Sequence, residues 1–259
     1  MKKIALSLLT VFSLANADFI GASVGAGVWQ ENISGYVKTG NSINYFHNKA
    51  AETDGNTNTG NLGLANTNQP YVWAKIIHPI PIIPNIKLQY TKYATSGDGI
   101  ASGNFKVFGQ SVSVNDRVHT ELKIDSYDAT FFYEFKPVIV DLEVGVGVNV
   151  LKGQTTVTCS TTTSSAHWTA PLPYLYARAE TTPVFGFSVE AQAKYLNVSI
   201  GHYYDYQGAL KYHLPLPILD VSLALGYRAQ DILGQDGDDE TNIKFDGGFA
   251  ELGVKWWEL

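Results

Sequence analysis

The stretch FKPVIVDLEVGVGVNVL, Phe135–Leu151, decides the fold. It opens on a proline in a short apolar turn and continues with Leu142, Val144, Val146, Val148 and Val150 at every second position. Between them stand Glu143, Gly145, Gly147 and Asn149. A period of two belongs to a strand whose faces meet different surroundings. An unbroken apolar face opposite small and polar residues is what a strand between lipid and a polar interior requires.

The same alternation recurs on both sides. Near the N-terminus Ile20, Ala22, Val24, Ala26 and Val28 oppose Gly21, Ser23, Gly25 and Gly27. Later, Phe187, Val189, Ala191 and Ala193 oppose Ser188, Glu190, Gln192 and Lys194, and Val221, Leu223, Leu225 and Tyr227 oppose Ser222, Ala224, Gly226 and Arg228. Noisier segments set Val72, Ala74 and Ile76, then Ile86, Leu88 and Tyr90, then Tyr127, Ala129, Phe131, Tyr133 and Phe135 outward. Leu175, Ala177 and Ala179, then Tyr206, Leu210, Tyr212 and Leu214, then Ala250, Leu252, Val254 and Trp256 complete about ten segments.

The connections fall into two alternating classes. Short proline-bearing turns include HPIPIIP from His78, KPVI from Lys136, TTPVFGF from Thr181 and LPLPIL from Leu214. Long polar stretches run over 31–70, 95–125, 152–170, 196–205 and 231–244. Proline cannot donate to a sheet ladder, so it ends strands and fixes tight turns. Short turns on one side and long loops on the other describe an antiparallel up-and-down transmembrane β-barrel of about ten strands. A soluble sandwich accounts for the prolines but not for the alternation of loop length.

Composition agrees. Charged residues make up 16% of the 259 residues, below the roughly 25% of soluble domains. Beyond the N-terminus no apolar run approaches the ~20 residues of a membrane helix. Lys2, Lys3 and the apolar run Ile4–Leu14 precede Ala15-Asn16-Ala17, so residues 1–17 read as a signal peptide and 18–259 as the barrel. A formal net charge of −6 argues against nucleic acid. Cys159 is the single cysteine, which excludes an intramolecular disulfide.

By this pattern the chain resembles bacterial outer-membrane β-barrel proteins, similar to small uncharacterised barrel families with proline in their periplasmic turns. The resemblance covers the expected mature chain and implies a cell outer membrane location. It also implies outer-membrane lipids and lipopolysaccharide as neighbours, and the barrel-assembly machinery as a partner in biogenesis. Barrels of this kind usually end in an aromatic residue, whereas ELGVKWWEL ends in Leu259 with Trp256 and Trp257 close by.

Strand parity names the charges expected in the lumen. Lys75, Lys87, Arg178, Lys194, Lys211, Arg228 and Lys255 are positive; Asp128, Glu134, Glu143, Glu180, Glu190 and Glu251 are negative. The near balance predicts a cross-strand ion-pair network, with Arg178 and Glu190 meeting diagonally. A selective pore would favour one sign. Girdles are expected from Phe135, Phe185, Phe187, Tyr212 and Trp256 at the turn end, and from Tyr71, Tyr93, Tyr127, Tyr203 and Tyr204 at the outer end.

The layout is also similar to the ten-stranded omptin proteases, which use Asp/Asp and Asp/His pairs on the outer rim. Here the rim offers His47, His119, His167 and His202 with Asp98, Asp116 and Asp205, and GHYYD holds the nearest pair, His202 and Asp205. The omptin signature pairs cannot be placed on these residues. The acidic run DILGQDGDDETN does not complete an EF-hand, and no zinc spacing, Walker motif or dinucleotide fingerprint occurs. No cofactor or metal is expected. The Asn/Thr/Gly-rich stretch 50–69 reads as mobile. The function expected is a non-enzymatic outer-membrane protein, structural or acting through its outer loops, over a largely ion-paired lumen. The alternatives are a small diffusion pore and, behind it, an outer-rim hydrolase.

Overall fold

The computed structural model describes residues 21–47, 59–101, 104–107, 110–113, 116–159, 163–216 and 219–257. The expected signal peptide and the C-terminal Glu258 and Leu259 lie outside the described residues. The strands are β1 (Gly21–Thr39), β2 (Ser42–Tyr45), β3 (Thr59–Asn61), β4 (Thr67–Ile77), β5 (Asn85–Ala101), β6 (Asn104–Val107) and β7 (Gln110–Ser113). They continue with β8 (Asp116–Phe135), β9 (Val140–Cys159), β10 (Thr163–Thr181), β11 (Phe187–Val198), β12 (Gly201–Pro215), β13 (Leu219–Asp236) and β14 (Asp239–Trp257).

Among the described residues, twelve strands form one sheet, and β14 pairs with β1 to close it. The ring itself runs β1-β4-β5-β8-β9-β10-β11-β12-β13-β14, every neighbour antiparallel. The fold is an up-and-down β-barrel. Closure leaves no sheet edge at the level of the wall, the condition for strands to cross a membrane.

The two faces differ as the alternation requires. Val24, Val28, Val72, Ile76, Leu88, Phe131, Val144, Val146, Leu175, Val189, Leu210, Leu223, Leu225 and Leu252 are all exposed on the outside. Their inward neighbours are polar, charged, aromatic or glycine except for Ile77, Ala209 and Ala224. The inner glycines make room for large rings: a side chain at Gly25 would strike Trp73, at Gly27 Tyr71, at Gly147 Tyr174 and at Gly153 Trp168. Small residues facing large ones is how a narrow barrel fills its interior.

Three expectations are corrected. First, most of the long polar stretches are strands. β8 and β9 pair from Phe135↔Leu142 out to Val118↔Cys159, and β13 and β14 meet at Asp236↔Asp239 around Gly237, whose φ is 61°. TTVTC is polar but rich in β-branched residues, which favour strand whether or not lipid covers them. Second, of the stretch 50–69, residues 50–58 lie outside the described residues, and 59–69 carries apolar anchors. Leu62 and Leu64 are buried with Phe46 beneath the outer end, held by Leu62 N–H to Tyr45 O and Leu64 N–H to Phe46 O at 2.8 and 2.7 Å. Third, Tyr71, Tyr93 and Tyr203 point into the lumen. Tyr127, Tyr206 and Tyr227 stand outward as expected, joined by Tyr195, with Tyr90–Tyr127 and Tyr195–Tyr204 in ring contact.

Prolines within strands also have a place. β10 pairs with β11 only from Leu175↔Tyr195 to Glu180↔Glu190, and Pro171 and Pro173 lie on β10 just beyond that ladder. Pro70 likewise sits one residue past the end of the β4–β5 ladder at Tyr71↔Thr91. Each occupies a position where one neighbouring strand has stopped accepting bonds, so its missing N–H costs nothing on that side.

Candidate functional site: the charge-paired lumen

The lumen holds two tiers of ion pairs. The tier nearer the short turns centres on Arg178. Its Nη1 lies 2.6 Å from Glu143, its Nε 2.8 Å from Glu190, and its Nη2 also reaches Glu180. The register pairs Arg178 with Gln192 and Glu180 with Glu190, so the Arg178–Glu190 contact is diagonal across β10 and β11. Lys75 bonds Glu143 at 2.7 Å, and Lys211 bonds Glu190 at 2.5 Å and Glu180 at 3.4 Å. Three cations meet three carboxylates, all turned inward.

The second tier lies deeper. Lys194 bonds Asp128 at 2.7 Å and lies 4.0 Å from Asp205. Arg228 grips Asp205 through Nε and Nη2 at 2.8 and 2.7 Å, its guanidinium 4.5 Å from the Trp29 ring centroid. Tyr174 donates to Asp128 at 2.7 Å, and Asn149 to the Tyr203 hydroxyl at 3.1 Å. Two cations meet two carboxylates. Lys194 and Asp205 are 1% and 0% exposed. Ions this deep are tolerated only when paired and hydrogen-bonded on their remaining positions.

Above this tier the lumen turns apolar. Trp29, Ile33, Phe46, Leu62, Leu64, Leu122, Ile124, Leu151, Phe245 and Phe249 form one buried cluster. Beside the short turns there is open volume, about 210 Å³, lined by Lys75, Arg178, Glu180, Lys211, Asp220 and Lys255 among others.

The remaining residues expected in the lumen also face inward, with separate partners. Lys87 bonds Gln192 at 3.0 Å, Glu251 accepts from Tyr71 at 2.9 Å, and Glu134 lies 3.3 Å from Lys136. Lys255 lines the open volume near the turns. Residues absent from the sequence expectation are Asp205, the tyrosines and His213. The tyrosines were recognisable by parity, since Tyr174 and Tyr176 share a face with Arg178.

The candidate rim pair is corrected. His202 and Asp205 are three apart on one strand, so they point to opposite faces. Asp205 is buried in the lumen, while His202 stacks on Tyr204 and lies 3.2 Å from Asp231. His47 meets the Leu64 carbonyl, His167 is exposed, and Asp116 opens β8. His119 and Asp98 do meet, at 2.8 Å on an exposed hairpin. At the turn end Ser188 Oγ lies 2.9 Å from His213 Nε2, whose Nδ1 lies 3.1 Å from Asp220. This line resembles a nucleophile–base–acid series. However, Glu180 also takes the Ser188 hydroxyl at 2.9 Å and lies 3.2 Å from Nε2, and Ser188 is 2% exposed. The imidazole therefore sits between two carboxylates, Glu180 and Asp220, with the Ser188 hydroxyl already engaged by Glu180. Among the described residues no group of three or more His, Cys, Asp or Glu could hold a metal ion.

Outside the lipid belt, Tyr36 donates to Glu240 across the β1 and β14 extensions. That bond pushes the Tyr36 phenol up to about 12 and holds the Glu240 carboxyl below its usual range.

No family model matches the chain, and no curated protein matches it. Among solved structures it is similar to the translocator domain of autotransporter NalP from Neisseria meningitidis, at 11% identity and a TM-score of 0.43 over 99% of this chain and 95% of that one. It is similar to Ail, the attachment invasion locus protein of Yersinia pestis, at 11% identity and 0.35 over 90% and 99%. It is also similar to the outer membrane protein OprG from Pseudomonas aeruginosa, at 12% and 0.31 over 92% and 95%.

Proposed function

We propose that this outer-membrane β-barrel is a closed, non-enzymatic scaffold that acts through its outer hairpins rather than through its lumen. The observation that carries this reading is the filling of the interior. Two ion-paired tiers, each with equal numbers of cations and carboxylates, lie beneath an apolar cluster that includes Leu62 and Leu64 of the first outer segment. A conducting lumen needs a continuous wet path, usually lined by one sign of charge. Removing solvent from five cations and five carboxylates is sustained only by their mutual contacts, so the pairs act as packing. In this reading the chain is exported by residues 1–17 and folded into the membrane by the assembly machinery. Proteoliposomes carrying the folded protein should swell in a small neutral sugar no faster than empty liposomes; swelling at a porin-like rate would overturn the proposal.

The hairpins also carry a surface suited to lipopolysaccharide. Register places Lys92, Asp125, Lys152 and Thr169 in one outward row across four strands, with Lys123, Gln154 and His167 in the next row up. Together they border an open groove of about 630 Å³, directly above the outward Tyr90–Tyr127 contact, and Lys152 lies 5.4 Å from the Tyr127 ring centroid. Three ammonium groups just above the aromatic level suit the phosphates of an outer-leaflet glycolipid.

A further inference from the structure

The β4–β5 connection, HPIPIIP at 78–84, is the longest of four short turns that expose apolar side chains; Val138 and Ile139, Val184 and Phe185, and Leu216 are exposed in the others. Ile80, Ile82 and Ile83 are 51, 84 and 50% exposed. A soluble loop with three bare isoleucines has no reason to exist unless something covers them.

The backbone indicates what covers them. In hydrocarbon every N–H and C=O must find a partner within the protein, whereas water removes that demand. Pro79, Pro81 and Pro84 have no N–H at all. The His78 N–H donates to Asn85 Oδ1 at 3.0 Å, the Ile80 N–H to His78 Nδ1 at 3.2 Å, and the Ile83 N–H to Ile80 O at 3.3 Å. The Pro84 carbonyl lies 3.2 Å from His78 Nε2. The Ile82 carbonyl accepts from the Tyr133 hydroxyl at 3.0 Å. Tyr133 belongs to the outward face of β8, beside Phe131. The turn therefore leans on the lipid side of the barrel wall, and a lipid-facing residue caps its carbonyl. Ile76 and Ile86, outward at the adjoining strand ends, join it to the apolar belt, and His78 between Ile76 and Ile80 has both ring nitrogens engaged within the turn.

We infer that the β4–β5 turn lies in the membrane, with Ile80, Ile82 and Ile83 among the acyl chains of the leaflet on the short-turn side. The turn extends the belt downward at this sector. The prolines have a second role here: besides ending strands, they remove donors that hydrocarbon could not satisfy. Continuity with the belt, three residues without an N–H, and three of the other four N–H groups already paired within the protein favour phospholipid acyl chain as the occupant.

Nitroxide accessibility tests this directly in reconstituted full-length barrel. On a Cys159→Ser background, a spin label at Ile82→Cys is compared with one at Val146→Cys in the belt and one at Asp238→Cys on an outer hairpin. The Ile82 label should relax with oxygen and resist a water-soluble nickel chelate, as the Val146 label does. Nickel accessibility equal to that of the Asp238 label would overturn the inference. Protection from both reagents would overturn it as well, by showing a protein partner or a second copy over the turn. Should the Ile82 variant fail to fold, a photoactivatable acyl chain in vesicles of the wild-type protein gives the same answer. Mass spectrometry should find label on residues 78–84 at a yield within about twofold of the β9 segment 142–150, and label confined to the strands would contradict membrane burial.

Discussion

Replacing Asp205 with alanine isolates the cost of the inner tier. Asp205 is fully buried and holds Arg228 through two bonds of 2.7 and 2.8 Å, with Lys194 at 4.0 Å. Without it, Lys194 keeps Asp128, while a guanidinium 4% exposed is left stacked on Trp29 without its bidentate carboxylate. Removing one partner of a buried pair costs about 3–5 kcal/mol, because the other charge stays desolvated. The double variant Asp205→Leu with Arg228→Met removes both charges together. It keeps the tier neutral and the volume filled, so it should recover most of that loss. Urea unfolding of refolded protein in detergent, followed by tryptophan fluorescence, measures both, and the heat-dependent gel shift checks that each variant folded. An Asp205→Ala loss below about 1 kcal/mol, or a double variant no better than the single one, would refute the paired-tier account.

Other outcomes follow from the same geometry. Val146→Arg, at an outward mid-belt position 55% exposed, should cost about 2–4 kcal/mol in a lipid-bilayer folding titration. Leu62→Ala should cost about 2–5 kcal/mol in the same urea assay and admit water to the outer cluster, which fluorescence red-shift of Trp29 would report. Glu240 titrates below the usual carboxylate range because of its bond from Tyr36. The stability it contributes is therefore present at neutral pH and lost as pH falls through its lowered folded value. Tyr36→Phe should return the Glu240 carboxyl to the ordinary range in an NMR titration.

What could be read beforehand tracks a single physical variable, the parity of the strands. Wherever apolar residues marked one face, as in Phe135–Leu151, the opposite face followed, and Lys75, Glu143, Arg178 and Glu190 all turn inward. GHYYD, crowded with tyrosine, reads as a rim loop and so places Asp205 on the rim. β12 in fact begins at Gly201, and parity then sends Asp205 into the lumen. Distance along the chain places Tyr71, Tyr93 and Tyr203 at the girdle level, although Tyr71 alternates with the outward Val72. The strand extensions were hidden because their outward residues meet water, which erases the hydropathy signal but not the β propensity of threonine and valine. Leu62 and Leu64 give no sequence signal, because two apolar residues among Asn and Gly are too few to define a period.

The closed lumen is tested most directly by single-channel recording of the folded barrel in a planar bilayer. Paired tiers beneath an apolar cluster predict a flat trace at high salt and applied voltage, with protein incorporation verified separately. Discrete, salt-dependent steps from the unmodified protein would contradict that account and show a continuous wet path past Lys194 and Arg228.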